Sequence, residues 1–377
     1  MKYCKKCVQP DTRPGIKFDE NGVCYPCKYY EKYEEIDWTA REKELYSIID
    51  WAKKNKNPAI PYDCTIGVSG GKDSHFIACY VKEKLGLRPL LVNYQGYTMT
   101  EIGRQNLLNL QNLGFDCISI KPNPNLQKKL AKIAFYKFGN PIKPSEYPLK
   151  TSYLRIAMAF DIRLNFLGEN AGITLGDFRP GEQDFGGDAS CNADGHTVQG
   201  GNASDWLYDD ITLDDLYWYQ HPSREELKIK NLKSIYLGYY VKEYSAVRNA
   251  EFAIKRGFKG RTEPLEEIGR YRRYTAVDDD TVIVNQLLKY IKFGFGYATD
   301  EACYDIREGR ITREEGIELV RKYDGKCHPR YIEQFCRDIE ITVDEFWRVA
   351  NSFRGNMWRK NSNGEWELIE PIWEQEK

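Results

Sequence analysis

Residues 62–74 read Tyr-Asp-Cys-Thr-Ile-Gly-Val-Ser-Gly-Gly-Lys-Asp-Ser, and no other stretch constrains the fold of this chain as much. A short apolar run ends in a Ser-Gly-Gly turn, and a helix-like stretch from His75 to Lys84 follows at once. The order predicts a strand, a tight turn, and a helix whose N-terminus faces whatever sits above the turn. Gly70 and Gly71 let backbone N–H groups approach an anion closely, and the helix dipole adds partial positive charge there. Ser69 and Ser74 add hydroxyls, Lys72 adds a cation, and Asp73 is placed to hold a magnesium ion. The segment predicts a phosphate cradle.

The cradle is not a Walker A loop, which reads G-x-x-x-x-G-K-S/T. Here Gly67 to Gly71 spans one residue too few, and Asp73 follows the lysine. The text resembles the S-G-G-x-D-S pyrophosphate loop (PP-loop) of the ATP-pyrophosphatase superfamily. That resemblance implies cleavage of ATP between its α and β phosphates, adenylation of a substrate oxygen, and release of pyrophosphate.

The alternation around the loop sets the fold class. Strands are expected at Cys64–Val68, Arg88–Asn93, Asp116–Ile120 and Asn165–Gly168, with helices between them at His75–Leu85, Met99–Leu113, Asn125–Phe138 and Ser152–Leu164. Pro141, Pro144 and Pro148 mark a link before the last of these. Short apolar strands alternating with helices predict an α/β protein with a doubly wound parallel sheet and ligands at the strand C-termini. Asn93, at the end of the second strand, is a candidate for adenosine contacts. Residues 172–202 are rich in Gly and Asp and are expected to be a long functional loop. Helical periodicity returns at Leu213–Tyr219, Tyr240–Arg256, Thr281–Lys292, Thr312–Tyr323, Pro329–Asp338 and Val343–Phe353. A hairpin turning at Asn363-Gly364 is expected near the end.

Four of the eleven cysteines form Cys4-x-x-Cys7 and Cys24-x-x-Cys27. Two such knuckles at this separation place four thiolates around one tetrahedral zinc, as in a zinc ribbon. Disulfides compete for the same residues, but a reducing compartment disfavours them. The resulting division is a zinc-binding ribbon over 1–38, a PP-loop ATP-pyrophosphatase domain over 39–200, and a mostly helical substrate or partner domain over 201–377.

Composition narrows the partners. The 377 residues carry 55 basic and 56 acidic side chains, so a broad nucleic-acid footprint is not expected. No apolar run approaches the roughly 20 residues of a membrane span, and Met1-Lys2-Tyr3-Cys4 has no signal-peptide core, so a cytoplasmic location is expected.

With these features together, the chain resembles the N-acetyl sugar amidotransferase family, the WbpG-like and PseA-like enzymes of bacterial surface-sugar biosynthesis. The likeness rests on Tyr3-Cys4-x-x-Cys7-Val-x-Pro-Asp-Thr-Arg-Pro-Gly15, on Gly22-Val-Cys-x-x-Cys27, and on the loop itself. It continues through Thr98-Met-Thr-Glu101, Gly168-Glu169-Asn170, Lys292-Phe-Gly-Phe-Gly296, Ala298-Thr-Asp300 and Asp305-Ile-Arg307-x-Gly309. Tyr297, Lys242-Glu243 and residues 172–188 depart from the family's usual text, although Asp184-Phe-Gly-Gly187 resembles its Glu-Tyr-Gly-Gly. The departures bear on which sugar is used.

The resemblance implies ATP-dependent conversion of a sugar N-acetyl group to an acetamidino group, with ammonia attacking the adenylated amide. It implies ATP, magnesium and zinc as cofactors, with Lys72, Asp73 and Glu169 as catalytic candidates. Ser69 to Ser74 and Asn93 would bind the nucleotide, and Asn170, Lys292, Asp300 and Arg307 the substrate. The sequence shows no glutaminase module, having only four histidines and no nucleophile elbow. The resemblance therefore implies a separate glutaminase subunit that supplies ammonia, sometimes with a cyclase-like companion.

Other readings stay beside these. Lys292 to Arg307 is alternatively a glycine-linked helix corner whose charges pair locally. Asp278-Asp279-Asp280 is expected to be a solvated turn rather than a metal site. His75 either meets phosphate or packs in the first helical turn. The competing enzyme class is a tRNA-thiolating PP-loop enzyme with a zinc ribbon, for which Cys191 is the isolated candidate thiol; a nucleotide-binding scaffold without catalysis is the other.

Overall fold

A computed structural model describes residues 1–169, 174–176, 187–189, 203–208 and 210–375. Its central sheet has five parallel strands, β1 (Cys64–Val68), β2 (Pro89–Tyr94), β3 (Asp116–Ile120), β4 (Leu164–Leu167) and β5 (Lys233–Tyr236), in the order β3-β2-β1-β4-β5. Every residue of β2 is buried, as expected for a strand covered on both faces. Alternate side chains serve different cores. Ile66, Leu91, Phe166 and Ile235 pack with the helices Trp38–Lys54 and Lys72–Glu83, while Leu90 and Val92 meet Tyr153, Leu154 and Ala157 of Lys143–Ala159 on the other face. A buried polar line crosses the sheet, where Thr65 donates to Asn165 and the Asn165 amide donates to Ser234 Oγ at 3.1 Å. Pairing each of these groups removes the cost of burying it.

The elements depart from expectation in four places. The helix Lys143–Ala159 begins inside the presumed proline link. Pro144 lies in its first turn, where no N–H is needed. Pro148 is tolerated farther in, and the Ser152 hydroxyl bonds its carbonyl. The strand β5, beyond the boundary set at residue 200, extends the sheet by pairing with β4. The expected helix Tyr240–Arg256 is broken into Leu237–Tyr240 and Ala246–Ile254, the second capped by Ser245, which accepts from Arg248 N at 3.2 Å. Residues 213–219 form only the short 3-10 turn Tyr217–Tyr219.

The C-terminal helices Thr281–Phe293, Pro329–Ile339 and Val343–Ser352 gather around a second core, while Tyr297–Arg307 and Arg313–Tyr323 pack against the cysteine module. Phe135, on the sheet-side helix Pro124–Phe138, stacks on Phe346 at 5.3 Å and meets Phe335 edge-on at 5.5 Å, which fuses the two regions. The cysteine module packs on the helix Arg313–Tyr323 through Val8, Ile317 and Val320. Arg313 donates to the carbonyls of Cys7 at 3.1 Å and Cys4 at 3.2 Å. The strands Trp358–Lys360 and Trp366–Leu368 form the hairpin, turned at Gly364 with φ +77°. No helix among the described residues is long and apolar enough to cross a membrane.

Candidate active site

The strand order reverses between β1 and β4, the switch point at which α/β sheets open a crevice. Ser69-Gly70-Gly71 leaves β1 there and Glu169 follows β4. Gly70 has φ +91°, and a Cβ on it would stand 2.7 Å from the Gly103 carbonyl, so no larger residue fits. Gly71 is the N-cap of the helix Lys72–Glu83. Its carbonyl is held by Ser74 Oγ at 2.9 Å and faces His75 Nδ1 at 3.0 Å. These side chains brace the turn from within. His75 is fully buried against Phe258, which is the packing role, and burial lowers its pKa.

Lys72 and Asp73 form an ion pair, and Asn249 Nδ2 donates to the other Asp73 oxygen at 2.9 Å. Asn249 is fully buried and its Oδ1 has no partner among the described residues. A cavity of about 350 Å³ opens above the loop, lined by Val68, Ser69, Asp73, Val92, Tyr153 and Glu169. Asn93 is buried beneath this floor. Its amide donates to the Val68 carbonyl at 2.8 Å and the Tyr94 carbonyl at 3.2 Å, while its Oδ1 has no partner among the described residues. Asn93 thus fixes the end of β1.

The three aspartates are not a solvated turn. Asp279 accepts from Thr98 Oγ1 at 2.6 Å and from Thr281 N at 2.7 Å, and Asp280 pairs with Arg261 at 2.6 Å. Asp278 stands over the loop beside Ser69. Burial first, and then the Asp279 charge, push its carboxyl up to about 6. A Cβ on Gly103 would lie 2.8 Å from Asp278 Cα, so this packing needs the glycine.

Glu169 lies where three cavities meet. It is open to solvent on the cleft side, yet protein crowds it; that crowding first, and the Asp73 charge next, raise its carboxyl above the ordinary value. Tyr244 donates to it at 3.3 Å. The largest of the three cavities, about 700 Å³, is lined by Arg13, Lys289, Lys292, Tyr297, Asp300 and Tyr304 among others. Asp300 is ion-paired to both Arg13 and Lys289. Burial works against its charge, but these two cations hold its carboxyl low. Lys292 donates to the Phe138 carbonyl at 2.7 Å; burial, then Lys143, lowers its pKa to about 8. Arg307 is not in this cavity. It donates to the Thr174 carbonyl at 2.7 Å and sits over the rings of Tyr304 and Tyr30. Asn170, Cys191 and 184–186 lie outside the described residues.

The four module cysteines converge. Cys4 and Cys27 Sγ are 3.9 Å apart, Cys7 and Cys24 3.7 Å, and all four sulfurs lie within 4.8 Å of one another. A zinc tetrahedron with arms of about 2.3 Å has edges of about 3.8 Å, so the set fits one zinc ion. A multi-iron cluster would hold its thiolates farther apart.

Sequence reasoning missed Asn249, Tyr244, Lys289, the role of Arg13 and the placement of Asp278. No local motif marks the first three, and Arg13 stands in the Pro-Asp-Thr-Arg-Pro-Gly15 run with nothing there to point to Asp300. Thr98, whose hydroxyl donates to the neighbouring Asp279, was the available hint for the last.

The fold and the site together define an α/β protein with a PP-loop-type turn at its switch point. Residues 268–372, just over a quarter of the chain, match the family described as LPS biosynthesis protein WbpG-like, C-terminal domain. Among curated proteins it is similar to the uncharacterized protein MJ1599 of Methanocaldococcus jannaschii, 31% identical over 108 residues. That match covers 28% of this chain and 38% of the relative's length. Among solved structures, the U34-tRNA thiolase NcsA of Methanococcus maripaludis, solved with an iron–sulfur cluster, is 12% identical, covers 82% of this chain and 87% of its own, and has a TM-score of 0.31. NMN synthetase of Francisella tularensis is 17% identical, covers 55% and 92%, and has a TM-score of 0.27. Likenesses this loose carry no argument.

Proposed function

We propose that this protein is an ATP-dependent amidotransferase that converts an N-acetyl group of a bacterial surface sugar to an acetamidino group. The observation that carries the reading is the meeting at Glu169 of the loop crevice with the larger cavity, whose far wall belongs to the WbpG-like segment. ATP would lie over Ser69 to Ser74 with its pyrophosphate on the backbone N–H groups of the turn. Asp73, with Glu169 beside it, would hold magnesium, which when bound neutralises phosphate charge. Asn249 keeps Asp73 aimed. Lys72 would stabilise the departing pyrophosphate.

The N-acetyl sugar would occupy the larger cavity and present its amide oxygen toward the α phosphate. Lys292, Arg13 and Lys289 supply cationic character there, which suits an acidic sugar such as a UDP-linked diacetamido uronic acid or a nonulosonic acid. Ammonia would come from a separate glutaminase subunit, with a cyclase-like companion in some assemblies. The chain would act in the cytoplasm. In this reading residues 1–38 serve the module, 39–200 together with β5 and Asn249 from beyond that boundary serve the nucleotide, and the rest of 201–377 serves the substrate.

The test is direct. Purified chain is incubated with ATP, magnesium, ammonium and a panel of N-acetylated acidic sugars, and AMP, pyrophosphate and product mass are followed. AMP formation with replacement of an amide oxygen by an imino group supports the reading. Pyrophosphate release that depends on tRNA and ends in thiolated RNA would put the thiolating class in its place.

A further inference from the structure

We propose that the small third chamber at Glu169 is where ammonia meets the activated acceptor, with Glu301 as the group that takes its proton. The inference rests on the amidation reading. That reaction brings together three reactants of very different size, and three cavities share Glu169 as a wall. The crevice over the loop holds about 350 Å³ and the large cavity about 700 Å³, both in the range of nucleotide and sugar ligands. The third holds about 90 Å³. That is room for a few water-sized molecules and for neither a nucleoside nor a sugar.

Its place fits a nucleophile. Lys72, Asp73 and Glu169 form one end, so it opens on the loop. Tyr297 and Tyr304 are shared with the large cavity, so it opens on the acceptor as well. Ser245 and Ala246, at the start of the helix Ala246–Ile254, stand in its wall together with Tyr30 of the cysteine module.

The chemistry of the wall also fits. Glu301 is 1% exposed, and it accepts from Thr275 Oγ1 at 2.9 Å and Tyr271 N at 3.2 Å. A carboxylate has about four acceptor sites, so two bonds leave it able to accept from ammonium. The charges that face it are Arg272 and Arg270, and burial outweighs them in raising its carboxyl to about 7. Ammonium would give one proton to Glu301, with an N–H bond breaking and an O–H bond forming. The freed lone pair then forms the C–N bond to the adenylated amide carbon. The C–O bond to AMP breaks, its electron pair leaving on the phosphate oxygen. The added nitrogen sheds one further proton to water as the amidinium forms.

The experiment separates adenylation from amination. Acceptor-dependent exchange of labelled pyrophosphate into ATP, run without ammonium, reports the first step; AMP formation against ammonium concentration reports the second. Ala246→Trp, which fills the chamber, should raise the KM for ammonium at least about tenfold, while exchange persists. Glu301→Gln, of the same shape, should lower kcat/KM for ammonium about tenfold relative to its exchange rate. Exchange with an unchanged ammonium dependence in both variants overturns the chamber and leaves the amidation reading standing. Lack of any acceptor-dependent exchange in the unmodified chain overturns both. If Ala246→Trp loses exchange as well, it has misfolded, and Glu301→Gln decides the matter alone.

Discussion

The two sides of the cleft hold their charged groups in different ways. On the side where we propose that the nucleotide binds, a single turn between β1 and its helix carries Ser69, Gly70, Gly71, Lys72, Asp73 and Ser74, and among the described residues the long-range hydrogen bond to Asp73 comes from Asn249. On the acceptor side Arg13 comes from the cysteine module, Lys289 and Lys292 from one helix, and Asp300 from the next. Their side chains are nearly dry, with Arg13 10% and Asp300 9% exposed, against 35% for Asp73. The difference teaches that one side keeps its charges by backbone geometry and the other by mutual neutralisation. Damage to the first should cost chemistry, and damage to the second should cost stability.

Removing metal from the cysteine module tests the support of the acceptor side and carries the largest expected effect. Zinc contributes on the order of 10 kcal/mol to the folding of small cysteine modules. Chelation should release one zinc per chain and expose residues 1–38 to limited proteolysis, while the sheet core resists. Simultaneous digestion of the sheet would show that the two sides are not separable.

Asp300→Asn leaves Arg13 and Lys289 in a dry site without their anion and should destabilise by about 3–5 kcal/mol. Thermal unfolding should then begin on the order of 10 °C lower. Asp73→Asn should behave in the opposite sense. Its unfolding temperature should hold, while pyrophosphate release falls at least about 100-fold, equivalent to about 3 kcal/mol of barrier. Equal losses of stability in the two variants would erase the comparison.

Gly70→Ala probes the backbone side. With φ +91° and the Gly103 carbonyl 2.7 Å from the new Cβ, it should cost about 1–3 kcal/mol and raise the KM for ATP. A stable variant with unaltered KM would mean that the turn tolerates a side chain.

The smallest effect is a slope. The Glu301 carboxyl, raised by burial to about 7, binds a proton more readily when folded than when unfolded. The folded state therefore holds more protons between about pH 4.5 and 7, and its stability falls as pH rises through that window. Relative to Glu301→Gln, the unmodified protein should lose at most about 1.4 kcal/mol per pH unit there, read from denaturant unfolding. A difference of opposite sign would mean that the neighbouring arginines dominate this site.

Much of the nucleotide side was legible because its signals are local. The strands β1 to β4 lie within a residue of where the apolar runs placed them, and the helix after the glycine turn starts three residues earlier than expected, at Lys72. The four cysteines were legible for the same reason, since two short knuckles declare their own geometry. The strand β5 was not, because four residues between helices carry too little periodicity to stand out. Nor was the helix Lys143–Ala159, whose prolines read as a break until packing of Tyr153 and Leu154 under the sheet overrode them. The aspartate triad looked solvated because its partners, Thr98 and Arg261, lie far away in sequence or across a turn.

The acceptor side shows the limit most clearly. Lys292, Asp300 and Arg307 stand together in the text, yet Lys292 and Asp300 line the cavity while Arg307 turns to Thr174 and Tyr30. The sequence by itself determined a parallel α/β sheet, a glycine turn capping the helix after its first strand, and a cluster of four cysteines spaced to hold one metal ion, since each is encoded within one short span. Only the tertiary structure decided which charges share a dry cavity, that Asn249 steadies Asp73, and that three cavities of unequal size meet at Glu169. Those outcomes depend on how helices far apart in the chain pack, and packing is settled by the whole set of buried contacts rather than by any local pattern.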